Sequence, residues 1–390
     1  MDNFAFIIHP IDPKRDVSRK FPRLGKYLTV KQINFFSTFF PPLYISEITG
    51  IRSAATGTEI TGWFVACPYT PARMLELPEK TVYRKIVQTG KLAERLGARL
   101  LGLGAFTSVI GDAGLTIAKH LSIPVTTGDS YTVAVAVEAV REAARVMEIP
   151  LATATAAVVG ATGAIGSVAA ELIARDVPRL WLIGRRTEAL EAVRARIAAQ
   201  TPAEVQISTE MSALAEADLI LTVTSAVDTV IEPEHLRPGA VVCDVARPRD
   251  VSAKVAAVRD DVLVIDGGMV AVPGEAVCFN FNFGFPPGLA YACMAETMAL
   301  ALEGRYESYT LGKHITVAQV EEIAQIAGKH GFKLGGFRSF ERAVTPEQIE
   351  RVKTRARPRS ASAAKTPRSS RGPARAERGT GPGSAEEARR

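Results

Sequence analysis

The stretch Gly160-Ala161-Thr162-Gly163-Ala164-Ile165-Gly166 sets three evenly spaced glycines between a β-branched run and an Ala-rich helix. Residues without side chains let the main chain close on a pyrophosphate, whose charge meets unpaired amides and the positive end of the helix dipole. Thr162, Ala164 and Ile165 complete this candidate cradle. The loop is longer than the commonest NAD fingerprint, so the flanking strand and helix carry the reading more than the glycines do. An NAD site also calls for a carboxylate at the end of the next strand. The chain offers Ile183-Gly184-Arg185-Arg186-Thr187 instead, and the two guanidiniums suit a 2′-phosphate, which predicts NADPH. Thr224 and Ser225, closing the fourth strand, are candidates for the nicotinamide side and equally ordinary turn formers.

A second chemistry is that of a thiol. Cys293 stands in Pro286-Pro287-Gly288-Leu289-Ala290-Tyr291-Ala292-Cys293-Met294-Ala295-Glu296, expected a little inside a helix that Pro-Pro-Gly introduces. A cysteine among Ala, Leu and Met is commonly core filling, and an ionised Glu296 one turn on opposes a thiolate. Core residue and nucleophile both stay open on these grounds. Ser108 in Gly104-Ala105-Phe106-Thr107-Ser108-Val109, and Thr127 with Gly128 ahead of Asp129 and Ser130, could steady an oxyanion or serve as helix caps. His330 falls at a helix C-terminus, where histidine is favoured whatever the function.

The elements that must position these groups follow from periodicity. Residues 1–130 read as a mixed α/β substrate domain, with a hairpin of LYISEITGI and EITGWFVAC around SAATGT and a helix ending on Gly97. A bridging helix over 131–150 begins with the cap candidates Asp129 and Ser130. Residues 151–275 alternate strand, glycine turn, helix and strand, the pattern of a doubly wound parallel Rossmann sheet. Residues 276–345 form helices that pack back on the cleft and carry Cys293, and 346–390 form a tail.

Composition excludes several classes. With 47% hydrophobic and 23% charged residues the chain of 390 residues is ordinary globular material, and no apolar run reaches bilayer length. The N-terminus shows no signal peptide, so a cytoplasmic protein is expected. Cys67, Cys243, Cys278 and Cys293 are scattered without a CxxC pair, against zinc or a disulfide framework. Much of the net charge of +6 lies in the Arg-, Ser- and Pro-rich tail. That tail, lacking interleaved aromatics, is expected to be disordered from about residue 355, removable, and no nucleic-acid arm.

From NFFSTFFPP through LGLGAFTSV, VTTGDSYT and ATAAVVGATGAIGS to AYACMAE, LEGRY and GKHGF, the chain resembles the cyanobacterial-type long-chain acyl-[acyl-carrier-protein] reductases. The resemblance implies an NADPH-dependent reduction of a fatty acyl thioester to an aldehyde, with Cys293, in the ACxAE motif, as the acylated nucleophile. It implies acyl-carrier protein or acyl-CoA as donor and an aldehyde-consuming enzyme as a further partner. The chain departs from the family in its basic tail, its longer N-terminal segment and Ala164 in place of a polar residue.

The segment INFFSTFFPPLY could fill the core, line an acyl tunnel or rest on a membrane surface, with core expected first. Arg73, Lys80, Arg84, Lys85 and Lys91 could meet an acidic carrier or form a solvated helix face. Two other functions compete. One is a shikimate-dehydrogenase-like enzyme for a small hydroxy or amino acid, for which the N-terminal half offers no clear Lys and Asp pair. The other is a non-catalytic NADPH-binding regulator, which would leave Cys293 dispensable.

Overall fold

In the computed structural model, which describes residues 3–226 and 228–356, strand β1 (Asn3–Ile8) shows how the first layer is built. Its side chains alternate, Phe4 and Phe6 entering one core and Ala5 and Ile7 another, the period of two that a strand imposes. Three short helices follow: α1 (Pro13–Lys20), α2 (Pro22–Tyr27) and α3 (Val30–Ser37). Asp12 caps the first, a proline opens the first two, and Thr29 with Gln32 forms a capping box on the third. The expected hairpin is β2 (Leu43–Arg52) with β3 (Glu59–Ala66), antiparallel. Then come α4 (Pro71–Glu76), α5 (Glu79–Arg95), β4 (Leu101–Leu103), α6 (Phe106–Val109), α7 (Leu115–Lys119) and β5 (Val125–Thr126). The sheet order is β2-β3-β1-β4-β5, parallel except at β2.

Helix α8 (Asp129–Val146) leaves β5 and serves two cores at once. Tyr131 and Val135 pack with Phe4 and Phe6, while Val133, Ala136 and Val140 pack against the second sheet. That sheet comprises β6 (Thr155–Val159), β7 (Arg179–Ile183), β8 (Glu204–Ser208), β9 (Leu219–Thr222), β10 (Val241–Asp244) and β11 (Leu263–Asp266), with α9 (Ala164–Ile173), α10 (Thr187–Ala198) and α11 (Ala253–Val258) between strands. All its pairings are parallel and the order is β11-β10-β9-β6-β7-β8. This is the doubly wound Rossmann order, with the reversal of winding between β6 and β9, where such sheets bind their ligands.

The chain then returns to the first sheet. Strands β12 (Met269–Ala271), β13 (Leu289–Tyr291) and β14 (Lys333–Leu334) form a small antiparallel sheet. Helices α12 (Ala292–Glu303) and α13 (Val317–His330) bury Ala295, Met298, Leu302, Ile323 and Ala327 in the core of Phe4, Phe6 and Phe64. A hairpin of β15 (Arg338–Ser339) and β16 (Arg342–Ala343) leads into α14 (Pro346–Ala356).

Three expectations change. Pro286-Pro287-Gly288 introduces β13 and not a helix, so Cys293 is the second residue of α12. The helical turns continue through Ala356, with Val352 buried against the Rossmann side and Lys353 paired to Glu148; the rest of the tail lies outside the described residues. The phenylalanine-rich segment is not core. Only Ile33 and Ser37 of α3 are buried, because a short surface helix has one inward face, and Phe35, Phe36, Phe39 and Phe40 are exposed. His330 is structural, buried between Ser53 and Glu303 at 2.8 and 2.6 Å. Among the described residues no helix is long and apolar enough to cross a membrane.

Phe64 is fully buried between the hairpin and the aromatic loop, its ring 5.9 Å from Phe279 and 5.4 Å from Phe283. Truncation leaves a cavity that this interlocked cluster cannot close. Phe64→Ala is therefore expected to cost about 3–5 kcal/mol in chemical unfolding, and a loss under ~1 kcal/mol would show that the loop does not complete this core.

Candidate active site

The glycine loop divides into two roles. A Cβ on Gly160 (φ +80°) would lie 2.5 Å from the Val223 carbonyl oxygen, and one on Gly166 would lie 2.3 Å from that of Gly160. Both positions must be glycine for β6, α9 and the end of β9 to close together. Gly163 caps α9 without a side-chain hydrogen bond, leaving the first amides of the helix open. Thr162, Gly163, Ala164 and Ile165 line a cleft of about 750 Å³, as do Arg185 and Arg186 beyond β7. The acidic residues of its wall are Asp16, Asp129, Asp266 and Glu341, and none follows β7. Glycine turn, open helix end, paired guanidiniums and no carboxylate fit a dinucleotide bearing a 2′-phosphate, so NADPH is the cofactor this site takes.

On the nicotinamide side, Ser225 lines the cleft with Thr224. The Thr224 hydroxyl is committed, donating to Asp250 at 2.5 Å while its amide donates to the same carboxylate at 2.8 Å. Thr224 thus shapes the turn, anchored by a buried aspartate that strand periodicity gave no reason to single out.

Cys293 opens into the same cleft and is partly exposed. Its location at the second position of α12 sets it beside the unpaired amides of a helix start, a more favourable place for negative charge than the helix interior expected from sequence. The turn between β5 and α8 presses against it. A Cβ on Gly128 (φ +79°) would sit 2.3 Å from the Cys293 Cα, so only glycine fits there. Glu296 holds the two together. It is fully buried and accepts hydrogen bonds from the Thr126 hydroxyl at 2.5 Å, the Thr310 hydroxyl at 2.9 Å and the Tyr131 amide at 2.9 Å, with the Gly128 amide as a further donor.

Asp129 and Ser130 are not caps. Gly128 occupies the cap position in a left-handed conformation, which frees both side chains. Ser130 pairs with Thr310 at 2.8 Å, and Asp129 lines the cleft. Burial, followed by the charge of Glu296, pushes Asp129 up to about 7. Burial, then Asp129, pushes the Cys293 thiol up to about 12, against the lowering effect of the Met294 and Cys293 amides. A thiol so placed needs a base in order to react, and Asp129, which lines the same cleft, is the candidate for it. Sequence reading missed it by spending the side chain on capping.

The two expected oxyanion donors separate. Ser108 lines the cleft from within α6, and its hydroxyl donates to the Ala105 carbonyl at 2.7 Å. Thr127 is not in the cleft wall. Its buried hydroxyl has no partner of normal hydrogen-bond geometry, although it is close enough to Asp129 to lower that carboxyl's pKa.

Taken with the sheet order, this cleft defines an NAD(P)-dependent oxidoreductase. The family model for shikimate / quinate 5-dehydrogenase matches residues 141–266, the dinucleotide half alone. A long-chain acyl-[acyl-carrier-protein] reductase of Synechococcus elongatus is 30% identical over 351 residues, covering 85% of this chain and 98% of that protein. The chain belongs to the long-chain acyl-[acyl-carrier-protein] reductase family. It is also 30% identical over 305 residues to the aminotransferase PigE of a Serratia strain, matching with 77% of its length but spanning only 35% of PigE. The L-tryptophan dehydrogenase of Nostoc punctiforme superposes at a TM-score of 0.38 and 11% identity, covering 91% of this chain and 88% of that one, a likeness too loose to bear on chemistry.

Two outcomes are expected. Replacing Arg185 and Arg186 together by Ala should weaken NADPH binding roughly tenfold or more while leaving NADH nearly unchanged in a fluorescence titration; equal losses for both would deny them the 2′-phosphate. The second concerns stability. Because folding raises the Asp129 pKa to about 7, the folded state holds this proton more tightly than the unfolded chain. Its contribution is present near pH 4, declines as pH rises from about 4 through about 7, and is absent above. Asp129→Asn removes that decline, so the variant should gain on the order of 4 kcal/mol over wild type at alkaline relative to acidic pH in paired unfolding curves. A pH-independent difference would show that Asp129 ionises normally.

Proposed function

We propose that the chain reduces a long-chain acyl thioester, carried by acyl-carrier protein or coenzyme A, to the fatty aldehyde through an acyl group on Cys293. The observation that carries this reading is the continuity of one cleft. Cys293 and the dinucleotide loop share it, and its other end is walled by Leu24, Leu28, Ile33, Phe36, Phe40 and Leu43, an apolar surface suited to an alkyl chain.

In the first step Asp129 takes the thiol proton and the sulfur attacks the thioester carbonyl. A new carbon–sulfur bond forms, the bond to the carrier breaks, and the carrier thiolate recovers the proton from Asp129. Negative charge on the carbonyl oxygen meets the amides of Cys293 and Met294 at the start of α12. Glu296 acts through others, holding the Gly128 turn and the first turn of α12 in register. The glycine loop, Arg185 and Ser225 would hold NADPH, which when bound would supply the hydride for the acyl carbon. Release of the aldehyde breaks the carbon–sulfur bond to Cys293, and the thiolate so freed takes one proton from water by way of Asp129, which restores both groups. The shikimate-dehydrogenase-like alternative gains nothing from the cleft, since that family model stops at Asp266, short of Cys293.

The test is intact-mass analysis after incubation with palmitoyl-CoA or palmitoyl-carrier protein and no NADPH. An acyl adduct is expected on wild type, none on Cys293→Ala, and discharge to aldehyde when NADPH is added. Absence of an adduct with either donor would sink the reading. The acylation rate should rise with pH through about 7, following Asp129 ionisation, and Asp129→Asn should slow it roughly a hundredfold and flatten that rise. An unchanged profile in the variant would remove Asp129 from the proton transfer.

A further inference from the structure

The most conspicuous surface feature outside the reacting groups is the segment from α2 to β2. Tyr27 is 74% exposed, Phe35 56% and Phe39 70%, and with Val30, Phe36, Phe40 and Tyr44 they form an apolar patch of a kind soluble monomers seldom present. The arrangement follows from helical spacing. Lys31 and Phe35 stand four residues apart on the face of α3 opposite the buried Ile33 and Ser37, and Phe39 follows in the turn that leaves the helix. The Phe35 ring packs edge-on against Phe36 at 5.4 Å and Phe39 at 5.5 Å, so the tips are clustered and held outward. The segment is also anchored from behind. Arg73 donates to the Thr38 hydroxyl and Lys85 to the Phe40 carbonyl, each at 2.8 Å, so two cations that could have met a carrier or formed a solvated helix face help to fix this patch.

Charge tells what the patch suits. From Val17 to Ser46 the chain has Arg19, Lys20, Arg23, Lys26 and Lys31 and no Asp or Glu. Arg19 pairs with Asp16 and Lys20 reaches the Ile45 carbonyl, while Arg23, Lys26 and Lys31 are exposed beside the aromatics. Protruding aromatics rimmed by cations are the composition of a lipid–water interface contact, in which rings enter the headgroup layer and cations meet anionic phosphates. A second copy of the chain would bring like charge against like charge in a two-fold contact. An acidic protein would satisfy the cations, but the farthest-reaching side chains are the rings.

The patch continues into the cleft. Phe36 and Phe40 belong to both, and Phe21 and Leu24 line the cleft while remaining 39% exposed. We propose that this face docks on an anionic lipid surface, so that the apolar end of the cleft opens at the bilayer. The docking itself stands on exposure and charge. Only its use, release of a water-insoluble product into lipid, rests on the acyl-thioester reading.

The experiment is flotation of the full chain with phosphatidylcholine vesicles, with and without phosphatidylglycerol. Wild type should float with the anionic vesicles and lose binding at about 1 M salt, where screening reaches only about 3 Å. The double variant Phe35→Ser/Phe39→Ser, altering exposed rings outside the cleft wall, should weaken binding roughly tenfold or more. Lys26→Glu/Lys31→Glu should weaken it comparably, and both should keep wild-type thermal unfolding. Cys293→Ala should float as wild type does, so failure of the aldehyde chemistry and failure of docking are told apart. The proposal is overturned if wild type ignores both vesicles. It is equally overturned if both variants float unchanged, which would assign binding to the Arg-rich C-terminal segment, or if they alter only oligomeric state or carrier-protein binding.

Discussion

A buried carboxylate organises the reactive end of this molecule. Glu296 has no contact with water, and ionising it there is expensive unless every oxygen is answered by donors. Thr126, Tyr131, Thr310 and Gly128 supply them, from the end of β5, the start of α8 and the loop after α12. One side chain therefore joins three segments distant in sequence. Two features mark its neighbours: Cys293 is held against Gly128 with no room for a side chain between them, and Asp129 has its pKa pushed up to about 7, by burial first and by the charge of Glu296 second. The glutamate does oppose a thiolate, since its charge adds to the rise of the Cys293 pKa, and it also ties the turn that carries Asp129 to the helix that carries the thiol.

The second sheet contributes differently. Its crevice arises wherever parallel strands wind outward in both directions from a central pair, and the cofactor half needs little beyond that and a glycine turn. The reactive half is made specific by what is laid over it. Helix α12 carries the sulfur and α8 carries the aspartate, and both start at the cleft. Since α8 also packs into the core of the second sheet, Asp129 is fixed against both sheets at once.

Much of this was legible from the residues. The strand–turn–helix setting of Gly160, the missing carboxylate after Ile183 and the hairpin around Ser53–Thr58 are local signals, and local physics decides them. What sequence concealed was tertiary. Asp129 reads as a cap because Asp before a helix usually is one, and only Gly128 taking the left-handed position frees it. Thr127 reads as a cleft residue because its neighbours are, yet its hydroxyl turns inward. Phe35 and Phe39 read as core because hydrophobicity is no guide to which face of an eight-residue helix has a partner. Cys293 seemed one turn deeper in its helix because nothing local reveals that Leu289–Tyr291 pairs as a strand with Met269–Ala271.

The first sheet borrows its inner face from the far end of the chain. Phe4, Phe6 and Phe64 are covered by Met298, Leu302 and Ile323, residues that leave the ribosome long after the strands they seal. The dinucleotide-binding half is mostly contiguous and takes only a few core residues, such as Ile315, Val320 and Val352, from beyond its last strand, whereas the N-terminal strands depend on α12 and α13 for the face they bury, a contact of long sequence separation. Until those two helices dock, the apolar face of the first sheet is open to wrong partners, and that makes the N-terminal strands the segment most exposed to misassembly.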